Sequence, residues 1–332
     1  MRLGTADCRL LTAALFTALA LASTAQSASA QEVHLLIVTG VSGDEEHAKR
    51  FQGWAATLVD AAKKRESLPD ANIMYLAEKP EADPARIRGR STRDAIEKAV
   101  TDIAARAQRD DQVMIVLIGH GTFDGRQASF NLPGPDLTVA DWAKLLEKLS
   151  AQRVAFVNTA PASGAFLPTV AAPGRAIVTA TKTGGERNET VFAQYFGEAF
   201  ADDAADADRN GHVSVLEAFN YAKNKVVKAF EQSGLLLTEH ATLDDGIEGR
   251  LAGMLYLTAH PSDGGLKVDM TDPEMRVLVG EREAVQKEID ALRLQKDRLE
   301  PARYEQEMER LLTNLALKTR AIRDLEAKKA GR

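Results

Sequence analysis

Short apolar runs recur along the first three quarters of the chain, each closed by glycine or a polar turn. They are Glu32–Gly40 (EVHLLIVTG), Asn72–Ala77 (NIMYLA), Val113–Ile118 (VMIVLI), Arg153–Asn158 (RVAFVN), Gly174–Thr181 (GRAIVTAT) and Met254–Thr258. Runs this short, with no polar break, are expected as strands buried on both faces. Between them the apolar spacing changes to that of helices. Phe51, Trp54, Leu58 and Ala61 share one face of a segment ending near Lys64. Ser91 or Thr92 caps a helix running to about Ala107, and Thr138 caps a shorter one with Trp142, Leu145, Leu146 and Leu149 inward. Strands alternating with helices predict an α/β fold: a mostly parallel six-stranded sheet flanked by helices, over residues 31–258.

After Leu257 the texture changes. Residues 259–272 read as a linker containing Pro261-Ser262-Asp263-Gly264-Gly265. Asp272-Pro273-Glu274 is a helix start, with a capping acid, proline in the first turn and a second acid against the dipole. Two apolar stripes follow in a charge-rich background. Leu278, Val285, Ile289, Leu292 and Leu299 make one; Tyr304, Met308, Leu311, Leu315, Ile322 and Leu325 make the other. Pro301 separates them, so residues 273–330 are expected as a helical hairpin or coiled-coil arm. Such stripes carry no chemistry; they suit a partner or self-association.

The first thirty residues do not belong to this pattern. Arg2 and Arg9 precede an apolar stretch from Leu10 to Ala22, and small residues end at Ala28-Ser29-Ala30. This is the layout of a secretory signal, with cleavage expected between Ala30 and Gln31 and a secreted or periplasmic product. The stretch is short for a membrane span. Cys8, the single cysteine, lies inside it. The rest of the chain can therefore form no disulfide, no thiolate metal site and no cysteine nucleophile. The net charge of −6 and the lack of a basic patch argue against nucleic acid as a partner.

The third apolar run ends in Gly119-His120-Gly121, placing an imidazole at the carboxyl edge of the sheet, where open α/β folds keep their sites. The next run ends in Asn158-Thr159-Ala160-Pro161-Ala162-Ser163-Gly164. Ala180 to Phe196 (ATKTGGERNETVFAQYF) follows with a strand end and a helix. These three pieces resemble the cysteine peptidase clan of caspases, legumain and gingipains, the last especially its bacterial legumain-like members, over roughly Val33 to Leu257. The resemblance implies that His120 stands at the catalytic histidine. It puts the nucleophile at Ala160 or Pro161, in a turn one residue longer than usual. Neither side chain can attack a carbonyl, so the resemblance implies a non-catalytic pseudopeptidase whose cleft could still hold a peptide. The alternatives are a hydrolase using Ser163 or Thr159 with His120, and a purely structural envelope protein. Ser163 matches the structural Ser-Gly of the turn better than the nucleophile.

Asp206 to Glu217 (DADRNGHVSVLE) fits an EF-hand loop at every diagnostic position. Asp206, Asp208 and Asn210 stand at one, three and five, and Gly211 takes the sharp turn at six. His212 offers its backbone carbonyl at seven, Ser214 acts directly or through water at nine, and Glu217 is bidentate at twelve. Hard oxygen ligands in a flexible loop select Ca²⁺; the bland reading is a solvated acidic loop. A single loop suits a structural role better than a sensing one. Asp244-Asp245-Gly246-Ile247-Glu248 lacks this spacing, and Gly40-Val41-Ser42-Gly43 lacks the lysine of a phosphate loop. His34, His47, His240 and His260 show no metal-ligand spacing. His47 is a candidate cleft-lining residue, as are Arg187, Asn188 and Glu189.

Overall fold

A computed structural model describes residues 31–109, 111–150, 152–258 and 272–330. The expected signal segment and nearly all of the expected linker lie outside the described residues. The central sheet is built from β1 (Val33–Thr39), β2 (Ile73–Ala77), β3 (Gly89–Arg90), β4 (Gln112–Ile118), β8 (Arg153–Asn158), β9 (Arg175–Thr179) and β10 (Thr242–Asp244). Its order is β10-β9-β8-β4-β1-β2-β3. Every pairing is parallel except β10 with β9. The sheet thus has seven strands rather than six. Both edge strands, β3 and β10, are very short pieces without an apolar run. Met254–Thr258 is no strand of this sheet: Ala252–Met254 form a 3₁₀ turn, and Tyr256 makes only an isolated bridge to Ser214.

Side chains alternate between the two faces of a strand, and here both faces are dry. Tyr75, Ile37, Val116, Val157 and Val178 form one row across five strands. They face α1 (Glu45–Lys64), α5 (Phe192–Ala199) and α6 (Val215–Ser233). Leu36, Ile115, Phe156 and Ile177 point the other way, onto α2 (Arg93–Arg106), α3 (Val139–Glu147) and the short α4 (Leu167–Val170). This two-sided burial is why the strand runs show no alternation. Phe156 is completely buried between Trp142 and Phe166. Truncating a buried aromatic of this kind costs about 3–5 kcal/mol.

A second, three-stranded antiparallel sheet follows the Gly-His-Gly turn: β5 (Gly121–Phe123), β6 (Ala128–Phe130) and β7 (Leu137–Thr138). The C-terminal helices α7 (Pro273–Leu294) and α8 (Pro301–Ala330) pack on each other as a hairpin. Met275 and Val279 meet Ile322 and Leu325, while Val285 and Ile289 meet Leu311, so the start of one helix lies against the end of the other. Leu294 packs against the core on the α1 side of the sheet. No helix among the described residues is long and apolar enough to cross a membrane.

Candidate functional site

The parallel strands β1, β4, β8 and β9 end along one edge, and their following turns meet there. Gly121 is required by this meeting: a Cβ on it would come within 2.5 Å of the Pro161 carbonyl and 3.1 Å of the Ala160 Cβ. The residue after His120 therefore touches the turn that carries Ala160 and Pro161. The half-buried His120 ring is held from three sides. Its Nε2 donates to the Ser42 carbonyl at 3.1 Å. A carbonyl only accepts, so a neutral ring carries its proton on Nε2 and its lone pair on Nδ1. Ser42 is itself pinned by Glu78, which accepts from its backbone N–H and its hydroxyl. The His47 ring lies 4.9 Å away and the Phe51 ring meets His120 edge-on at 5.2 Å. Both come from the first turns of α1, which starts at the Asp44 cap, earlier than the apolar pattern indicated.

His47 bridges two carboxylates, Asp44 through Nδ1 at 2.7 Å and Glu189 through Nε2 at 3.1 Å. Arg50 also pairs with Glu189. The lip around His120 is thus a network of matched charges. A small cavity of about 50 Å³ beside it is lined by Ser42, Phe51, Tyr75 and Glu78 and has room for ordered water.

The turn after β8 is closed. Thr159, Ala160, Ala162 and Ser163 are each at most 1% exposed. Ala160 N–H donates to Asn158 Oδ1, and Ala162, in the left-handed region at φ +58°, donates its N–H to the Glu186 carbonyl. Residues 182–190 lie over this turn. Thr190 Oγ1 donates to the Thr159 carbonyl at 2.6 Å. The Ser163 hydroxyl lies 3.2 Å from Thr181 Oγ1 and accepts from Thr181 N–H. The Thr159 hydroxyl donates to the Leu117 carbonyl at 2.7 Å. Both hydroxyls are buried and partnered away from His120. Just beyond, Glu239 accepts from the N–H groups of Val191 and Phe192 at the start of α5. Burial raises its carboxyl to about 7, against the lowering effect of those two donors.

The acidic loop lies between α5 and α6, with a 3₁₀ turn at Asp203–Ala205 before it. Oxygens of Asp206, Asp208 and Glu217 all lie within 4.8 Å of one another. Asp206 accepts from Asn210 and Gly211 N–H, Asn210 Oδ1 from His212 N–H, and Glu217 from Ala207 N–H. Gly211, at φ +92°, makes the turn. Ser214 and Glu217 form a reciprocal capping box at the start of α6. Burial, then the charge of Glu217, raises the Asp208 carboxyl above its ordinary range. The His212 ring is turned away: its Nδ1 pairs with buried Glu66 at 2.7 Å. Tyr256 braces the assembly, accepting from Asn210 Nδ2, donating to the Gly253 carbonyl, and bonding through its N–H to Gln112 of β4. Three converging carboxylates are the oxygen donors a hard divalent cation takes.

The sequence placed His120, His47, Glu189 and the acidic residues near these points. Ser42, Phe51, Glu186, Glu66 and Tyr256 were missed. Phe51 reads as a core position and Tyr256 as part of a strand; the other three carry no sequence signal.

No family model matches the chain, and no curated protein matches it. Among solved structures, the Drosophila initiator caspase Dronc is similar over 64% of this chain and 79% of its own, at 11% identity and a TM-score of 0.40. A protein from Geobacter sulfurreducens is similar over 64% of this chain and 92% of its own, at 12% identity and a TM-score of 0.40. At these identities the likeness carries no residue role.

Proposed function

We propose that this is a secreted, non-catalytic caspase/legumain-like protein that binds Ca²⁺ through residues 206–217 and engages a peptide or protein partner. The observation that carries the reading is the convergence of Asp206, Asp208 and Glu217 within 4.8 Å, at loop positions one, three and twelve. Among the described residues no Lys, Arg or His forms an ion pair with any of the three. A cation held there would offset the Glu217 repulsion that adds to burial in raising Asp208. Asp206, Asp208, Asn210, the His212 carbonyl, Ser214 and Glu217 are the proposed ligands, and the role is structural, bracing α6 against Tyr256.

The non-catalytic half rests on the closed turn. A base at His120 has no nucleophile to activate, because Ala160 and Pro161 lack one and the hydroxyls of Ser163 and Thr159 are buried in other bonds. The partner is expected at the sheet-edge lip or on the C-terminal hairpin, where Val277, Leu312 and Leu317 remain exposed. Calorimetry of the protein from Gln31 onward tests the cation: Ca²⁺ raises the melting temperature saturably, and Asp206→Asn with Glu217→Gln abolishes the rise. An unchanged melting curve with Ca²⁺ and with chelator would overturn it. Peptide-library incubation tests the other half, with cleavage abolished by His120→Ala as the outcome that overturns it.

A further inference from the structure

On the α1 side of the sheet, α6, Lys182 and the segment entering β10 line an open cavity of about 410 Å³. That volume is within the range of small-molecule sites, about 300–1,000 Å³. The walls are apolar: Phe219 and Val226 from α6, Leu237 and Leu243 from the facing segment. Leu235 and Leu236, just before Leu237, are 65% and 88% exposed, so apolar surface continues to the approach. Two ammonium groups stand among the lining residues, Lys182 and Lys223. Neither has a carboxylate partner among the described residues; Lys223 only lies over the Phe219 ring at 5.6 Å. The acidic residue in the wall, Glu239, has both oxygens engaged by Val191 and Phe192 N–H, and its exposure is 3%. His240 is likewise taken, by Glu186 at 2.9 Å.

An apolar slot with two unpaired cations at its side matches a ligand with an alkyl body and a single anionic head. We infer that this cavity binds an unbranched aliphatic carboxylate of medium chain length, its chain along Phe219, Val226 and Leu243 and its carboxylate between Lys182 and Lys223. Alkyl burial supplies the affinity and the lysines fix the orientation. A neutral alcohol would leave the two ammonium groups without a counter-charge. A phosphate-rich ligand would find little polar wall to replace its water. The inference is independent of Ca²⁺ and of the cleft.

Isothermal titration of the full chain from Gln31 with decanoate, kept below its aggregation concentration, tests it. One saturable site is expected. Lys182→Met with Lys223→Met should weaken decanoate roughly tenfold or more while leaving decanol unchanged. Both lysines are exposed, so this variant should melt like the parent. Val227→Phe, which fills the slot from α6, should abolish binding of both. Absence of saturable decanoate binding overturns the inference, as does full affinity in the double lysine variant. Binding of a peptide ending in Leu-Leu with a free carboxylate, but not of decanoate, also overturns it and reassigns the cavity to a protein terminus.

Discussion

The lip around His120 and the loop from Asp206 to Glu217 both gather acidic side chains, and they treat them in opposite ways. At the lip the carboxylates are spread apart, each with its own partners. Glu189 meets His47 and Arg50, Glu78 takes both donors of Ser42, Glu186 meets His240, and Glu239 takes two helix N–H groups. In the loop three carboxylates face one another with only N–H and hydroxyl donors around them. Dispersed carboxylates can each be satisfied from within. Where three converge within 4.8 Å, hydrogen bonds leave their mutual repulsion in place, which is what the proposed cation would offset.

The sharpest test of the matched side is Glu239. Its carboxyl is raised from about 4.5 to about 7 by burial. Below about pH 4.5 both folded and unfolded chains hold the proton. As pH rises through this window the unfolded chain releases it first, so stability falls, by up to about 3 kcal/mol, and levels off above about pH 7. Glu239→Gln mimics the protonated acid and should flatten that slope in urea melts taken across the window. An unchanged slope would show that the two N–H donors cancel the effect of burial.

The loop side should respond to Ca²⁺ itself. At a hundredfold excess over the dissociation constant, binding to the folded state alone adds about 2.7 kcal/mol. Asp208→Asn separates cation binding from simple acidity. It should raise the melting temperature without Ca²⁺, by relieving the crowding with Glu217, and lose the gain with Ca²⁺. If the variant melts lower without Ca²⁺, the carboxylates are held by their N–H donors and the contrast with the lip collapses.

Much of the frame was legible in the chain. The buried strands announced themselves because residues such as Leu36 and Ile37 are apolar on both faces. β3 and β10 were not legible, since a strand of two or three residues such as Gly89-Arg90 leaves no pattern. The first turns of α1, Glu45 to Arg50, are mostly polar and precede the apolar spacing that starts at Phe51, although they bring His47 to His120. Met254–Thr258 is apolar because it packs beside the acidic loop, where Val215 N–H donates to the Leu255 carbonyl, not because it joins the sheet. The covering of the turn could not be read at all: the bond from Ala162 N–H to the Glu186 carbonyl is backbone to backbone and leaves no mark on residue choice.

Ser163→Ala probes that covered turn with a smaller expected effect. Removing the hydroxyl leaves Thr181 N–H without its acceptor in a buried place, while Thr181 Oγ1 keeps the Gly164 N–H and the Thr183 carbonyl; the loss costs about 1–3 kcal/mol in denaturant melts. Ligand-binding and hydrolytic readouts should stay where they were. A catalytic serine would give the reverse, a change in turnover with stability nearly untouched.

The smallest effect is expected from placing a sulfur in the turn. Ala160→Cys adds one atom to a side chain that is 1% exposed, beside the Gly121 backbone. Thiol chemistry depends on a thiolate that solvent and reagent can reach, and burial among apolar groups works against both. With Cys8 in the expected signal segment, the chain from Gln31 contains no other cysteine, so labelling would report this position alone. Iodoacetamide should label the folded variant far more slowly than the same variant in denaturant, and no peptide cleavage should appear. Rapid labelling in the folded state would mean that residues 182–190 lift away from the turn. Cleavage that also required His120 would show that the frame is intact and only the sulfur was wanting, and the two regions would then differ by a single side chain rather than by how their charges are arranged.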